Sequence, residues 1–145
     1  MSMNFRRKLP VPKEIKELYP LNDKIKAIKT ERDAMIAEVF TGKSDKFLLI
    51  IGPCSADNED TVMDYTCRLS RLQEQVKDKI IIIPRIYTNK PRTTGEGYKG
   101  MIHQPDPTKG EDMLEGLIHV RKLHTRAIEE TGLVCADETV SYTHL

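Results

Sequence analysis

Phe47-Leu48-Leu49-Ile50-Ile51-Gly52-Pro53-Cys54-Ser55 decides the fold when it is read with its later counterpart, Ile80-Ile81-Ile82-Ile83-Pro84-Arg85-Ile86-Tyr87. Both begin as short apolar runs with no polar alternation. A strand with one wet face alternates apolar and polar residues, whereas a strand covered on both faces does not. The two runs are therefore expected to be parallel strands buried on both faces. Between them, Asp57 to Asp60 supplies acidic residues suited to a helix N-terminus, and Val62, Tyr65, Leu69, Leu72 and Val76 recur at three and four residues. Past the second run, a glycine- and proline-rich loop extends from Asn89 to about Gly110. A further helix carries Met113, Leu117, Val120, His124 and Ile128 on one stripe and stops at Thr131-Gly132, after which Leu133 to Ala136 begins a third strand. Strand, helix, strand, helix, strand is the alternation of an α/β fold with a parallel sheet.

Working outward to the N-terminus, Ile25, Ile28, Met35, Ile36 and Val39 mark an amphipathic helix, capped by Asn22 or Asp23 and ended by Gly42. Residues 1–20, with Pro10, Pro12 and Pro20, read as an irregular arm. The full chain has 145 residues, one domain's worth, with 23 basic against 22 acidic side chains and a net charge of +1. No field of one sign is available to attract nucleic acid or anionic lipid, and no apolar run reaches the roughly 18 residues of a membrane span, so neither partner is expected. The cluster Arg6-Arg7-Lys8 has no apolar stretch behind it and is not a secretory signal, which makes the cytoplasm the expected compartment. Cys54, Cys67 and Cys135 fit neither a disulfide framework nor a paired metal knuckle and read as reduced thiols.

Ligand sites of parallel α/β folds lie beyond the carboxyl ends of the strands, so chemistry is sought there. Cys54 stands at such an end, where a metal ligand or active-site thiol is as good a reading as a small core residue. Cys67 within a helix and Cys135 within a strand read as structural. Arg85 interrupts a buried apolar run and needs an anion, because an unpaired buried charge is strongly unfavourable. Lys90, Arg92 and Thr93 follow in the loop, and a forked guanidinium with a hydroxyl suits a phosphate. Gly95-Glu96-Gly97-Tyr98-Lys99-Gly100 allows close backbone approach but is not a dinucleotide turn, since it does not join a strand directly to a helix. His103 and His119 read as surface residues and His124 as a core or boundary imidazole rather than a ligand.

The ordered set Ile51-Gly52-Pro53-Cys54-Ser55, Arg85, Lys90-Pro91-Arg92-Thr93-Thr94 and Gly97-Tyr98-Lys99-Gly100 resembles the type I 3-deoxy-7-phosphoheptulonate synthases. The resemblance implies a (β/α)8 barrel behind an N-terminal extension. A closed barrel takes roughly 200 residues or more, so this chain would hold the extension, the first two βα units and the start of the third strand. It further implies condensation of phosphoenolpyruvate with erythrose 4-phosphate at the entry to the shikimate pathway, a divalent metal ion, and homo-oligomers when full length. Carried over by position, Cys54 would be a metal ligand and Arg85 would bind the phosphoenolpyruvate phosphate. Lys90 would act catalytically between the substrates near the aldehyde oxygen, and Arg92 with Thr93 would hold the erythrose phosphate. The synthase of 3-deoxy-octulosonate 8-phosphate is the alternative, set back by its different loop at Lys90-Pro91-Arg92-Thr93; a non-catalytic module binding phosphorylated ligands is another.

The chain is accordingly expected to divide into residues 1–42, arm and helix; 43–138, the N-terminal part of the barrel; and 139–145, a non-native tail. Val140-Ser141-Tyr142-Thr143-His144-Leu145 is expected to be translated transposase-adaptor DNA, and the resemblance places the family's other metal ligands and anion clamps beyond the chain's end.

Overall fold

A computed structural model of the chain describes residues 8–90 and 97–139. In chain order the elements are α1 (Pro12–Leu18), α2 (Asp23–Phe40), β1 (Phe47–Ile51), α3 (Glu59–Val76), β2 (Ile80–Asn89), α4 (Met113–Thr131) and β3 (Ala136–Thr139). The strands form one parallel sheet in the order β1-β2-β3, with Phe47 opposite Ile80, Ile51 opposite Pro84, and Arg85 opposite Ala136. This is the α/β architecture expected from the apolar runs.

The helices begin where short polar side chains can accept the free N–H groups of a first turn. Asn22 Oδ1 accepts from Ile25 N, Asn58 Oδ1 from Thr61 N, and Asp112 Oδ1 from both Leu114 N and Glu115 N. The stripe on α2 faces inward as expected, although only Ile25 is fully buried. The arm is not irregular throughout. Pro12 opens a short helix because a first-turn residue needs no N–H, and the Glu14 carboxylate accepts from Val11 N.

Two expectations about the strands need correction. β2 is buried along most of its length, but β1 is not covered on both faces: Phe47 is 66% exposed and Ile50 57%. Among the described residues β1 pairs along one edge only, and α3 packs over β2. β3 starts at Ala136 rather than Leu133. The amide of Gln73 explains the delay: Nε2 donates to Ile80 O at 2.8 Å and Oε1 accepts from Ile82 N at 2.7 Å. These are groups of β2 turned away from β1, since Lys79 O, one residue earlier, already accepts from Phe47 N. The first half of that edge is thus taken by a side chain. Leu133, 1% exposed, packs on Leu69 and Ile82 instead of pairing. Pro84 shares the parity of Ile80 and Ile82, so its missing N–H removes nothing from the ladder with β1.

Candidate functional site

Gly52 brings the end of β1 down onto β2. A Cβ built there would lie 1.8 Å from Arg85 O, so no other residue lets the chain pass this close. The approach places Pro53 O 2.9 Å from Arg85 Nη2, which donates to it, and Gly52 O 3.4 Å from the same nitrogen. Arg85 Nη1 donates to Glu138 Oε2 at 2.7 Å, so the anion this arginine requires is supplied from β3. One guanidinium, carried within β2, therefore ties the turn after β1 to the end of β3. Tyr87 lies on the same face, its ring 5.2 Å from the Arg85 guanidinium carbon and 5.8 Å from Lys90 Nζ.

Lys90 Nζ reaches back to Cys54, 3.1 Å from Sγ and 3.3 Å from the carbonyl oxygen. The exposed thiol and the ammonium thus meet across the β1 and β2 ends. Cys54, Arg85 and Lys90 are brought together as the sequence anticipates; Arg92 and Thr93 fall outside the described residues. Cys67 and Cys135 lie apart, half-buried, in keeping with structural roles. Burial, reinforced by the charge of Asp137, pushes the Cys135 thiol up to about 12. No group of three or more His, Cys, Asp or Glu able to hold a metal occurs among the described residues, so Cys54 offers one donor and no complete cage.

The loop after β2 closes over the same end of the sheet. Ile102 N donates to Thr88 O and Lys90 N to Lys99 O, while Tyr98 donates its phenolic hydrogen to Ala56 O at 3.2 Å. Burial and the nearby Asp57 charge raise the Tyr98 phenol to about 12. A cleft of about 430 Å³ lined by Ile36, Ile83, Arg121, His124, Ile128 and Cys135 lies beside α2 and α4 instead. None of the residues singled out for chemistry lines it.

Glu138 and Tyr87 escaped the sequence reading of the site. The signal for Glu138 was available: an acidic residue where the third strand ends, opposite an arginine that lacks an anion. Tyr87 could have been found by its alternation with Arg85 along one strand.

A parallel βα sheet whose carboxyl end gathers a thiol, two cations and a carboxylate defines an α/β protein with its candidate site at that face, as in βα barrels and open α/β sheets. The family model for the DAHP synthetase I family matches residues 21–143. The chain is 34% identical, over 90% of its length, to the tyrosine-inhibited phospho-2-dehydro-3-deoxyheptonate aldolase of Candida albicans, and 36% identical, over 87%, to the Phe-sensitive enzyme of Escherichia coli. The structure of the phospho-2-dehydro-3-deoxyheptonate aldolase from Francisella tularensis superposes with a TM-score of 0.85 at 26% identity, covering 97% of this chain and 40% of that one. The chain belongs to the DAHP synthetase I family. It spans 40% and 38% of the length of those two curated relatives and carries part of the family's (β/α)8 barrel.

Proposed function

We propose that the complete protein condenses phosphoenolpyruvate with erythrose 4-phosphate and water, giving 3-deoxy-D-arabino-heptulosonate 7-phosphate and phosphate. The observation that carries this reading is the meeting of Cys54, Lys90 and Arg85 at adjoining strand ends, with Lys90 Nζ 3.1 Å from Cys54 Sγ. In the reaction a bond forms between C3 of phosphoenolpyruvate and the aldehyde carbon, water adds at C2, and phosphate leaves from C2. Two anionic substrates must be held side by side, which requires fixed cations.

Arg85 suits one of these anions: its guanidinium is anchored by two backbone carbonyls and a carboxylate, so it is held in place before a ligand arrives. Lys90 has a compact charge within reach of the thiol and the Tyr87 ring, and it supplies the positive charge beside the aldehyde oxygen as that oxygen becomes an alkoxide. Arg92 with Thr93 would hold the second phosphate. Cys54 suits one position of a divalent metal site, the other donors coming from outside the described residues; when bound, the metal would polarise the aldehyde. The Tyr87 ring lies within reach of both cations.

The curated relatives named above are heptonate enzymes, which favours this reading over the octulosonate alternative. Assembly of complete subunits into oligomers and a cytoplasmic location belong to the same proposal. No helix among the described residues is long and apolar enough to cross a membrane.

The test is to sequence the locus across codon 139, express the complete reading frame, and assay phosphate release with both substrates. Metal-dependent turnover lost in Arg85→Ala supports the assignment; near-normal turnover and phosphoenolpyruvate affinity in that variant overturn it.

A further inference from the structure

Behind the wall that carries Arg85 and Glu138 lies a second polar cluster. Neighbouring residues of a strand face opposite ways, so when Glu138 turns toward Arg85, Asp137 turns toward α4. There Thr88, 0% exposed, donates its hydroxyl to Asp137 Oδ1 at 2.7 Å. His124 Nε2 lies 3.4 Å from Asp137 Oδ2. That nitrogen is buried and makes no hydrogen bond of ordinary geometry among the described residues, so the carboxylate is its nearby polar neighbour.

β3 needs such a device. It has four described residues, Ala136-Asp137-Glu138-Thr139, and its pairing with β2 is irregular between Tyr87 and Asn89. A slip of one residue sends every side chain to the opposite face, and an apolar face normally forbids it. Among its described residues there is no apolar alternation, and the two central residues are both acidic. Sequence pattern alone does not choose which of them meets Arg85.

We propose that Asp137, held from behind by the Thr88 hydroxyl with His124 Nε2 3.4 Å away, is a positioning residue that locks the register of β3 and thereby places Glu138 on Arg85. A slip that brings Asp137 to Arg85 would put Ala136 behind it and leave the buried Thr88 hydroxyl and His124 Nε2 without a carboxylate, whereas a slip the other way would take Glu138 off Arg85. The arrangement acts on the anion clamp through Glu138 and touches no substrate. Its kinetic consequence rests on the reaction proposed above.

The experiment uses the complete protein. Asp137→Ala and the near-isosteric Thr88→Val should raise the phosphoenolpyruvate KM about fivefold or more with kcat within about twofold, because a displaced clamp weakens binding in ground and transition states alike. Asp137→Asn, which keeps an acceptor for Thr88, should stay within about twofold of wild type. A second readout does not depend on turnover: the guanidinium NMR signal of Arg85 should shift on Glu138→Gln in the wild-type background and fail to do so in the Thr88→Val background. If the wild type shows no turnover, the proposed reaction fails while the NMR comparison still decides the register lock. The lock is refuted if the Arg85 signal responds equally in both backgrounds, if Asp137→Asn is as impaired as Asp137→Ala, or if thermal stability falls while KM stays put. Should Asp137→Ala not fold, Thr88→Val carries the comparison.

Discussion

Adding one methyl group at Gly52 should disable the site while changing none of its chemical groups. In Gly52→Ala the new Cβ would stand 1.8 Å from Arg85 O and 2.7 Å from Arg85 C, against a limit near 3.0 Å for real Cβ atoms. The obstructing atoms are backbone of β2, held in the ladder, so no rotamer change relieves them. The β1–α3 connection must lift by at least about 1.2 Å, and overpacking of this kind costs roughly 1–3 kcal/mol of stability. The lift carries away Pro53 O, which holds Arg85 at 2.9 Å, and Cys54, which Lys90 meets at 3.1 Å. A misplacement of about 1 Å costs on the order of 100-fold in rate. The assay is kcat/KM for both substrates in the complete protein, with thermal denaturation alongside. Gly42→Ala is the control: Gly42 has φ +70 and no atom within 4 Å of a built Cβ, so it should lose about 1 kcal/mol through backbone strain and keep its activity. The steric argument fails if Gly52→Ala retains kcat/KM within about threefold of wild type, or if Gly42→Ala loses as much activity as Gly52→Ala.

Gln73→Leu should cost about 2–4 kcal/mol, since it strands the buried Ile82 N–H and the Ile80 carbonyl, whereas the exposed Gln75→Leu on the same helix should stay within about 0.5 kcal/mol. Hydrogen exchange at the Ile82 amide, faster in the first variant and unchanged in the second, checks both. Metal content of purified variants should fall in Cys54→Ala and hold in Cys67→Ala and Cys135→Ala; equal occupancy in all three would return Cys54 to a packing role. Alkylation followed by mass spectrometry should label the exposed Cys54 first and Cys135, held up to about 12 by burial, last. Tyr98 also titrates upward, to about 12 from an ordinary 10.0, so its contribution to stability is complete below pH 10 and is lost as pH rises toward 12. Tyr98→Phe should flatten that part of an alkaline stability profile, and an unchanged profile would contradict the shift.

Phe47 to Ile51 and Ile80 to Ile83 announced strands because a continuous apolar run needs no partner to be recognised. The helix stripes and the caps at Asn22 and Gly132 were legible for the same reason: each is a local pattern with a fixed period or a fixed turn chemistry. Cys54, Arg85 and Lys90 were legible because the carboxyl end of a parallel strand is a position that can be counted along the chain. What the sequence could not determine was where β3 begins, because Gln73 competes for the edge of β2 from a different helix. Nor could it determine that Arg85 finds its anion in Glu138, 53 residues away, or that Asp137 and not Glu138 turns to Thr88 and His124. Those outcomes depend on which groups arrive at the same place once the sheet is assembled. A linear pattern carries the period of each element, while the register between elements is settled by close contacts such as Gly52 on Arg85 and by the pairing of buried polar groups that folding would otherwise leave unsatisfied.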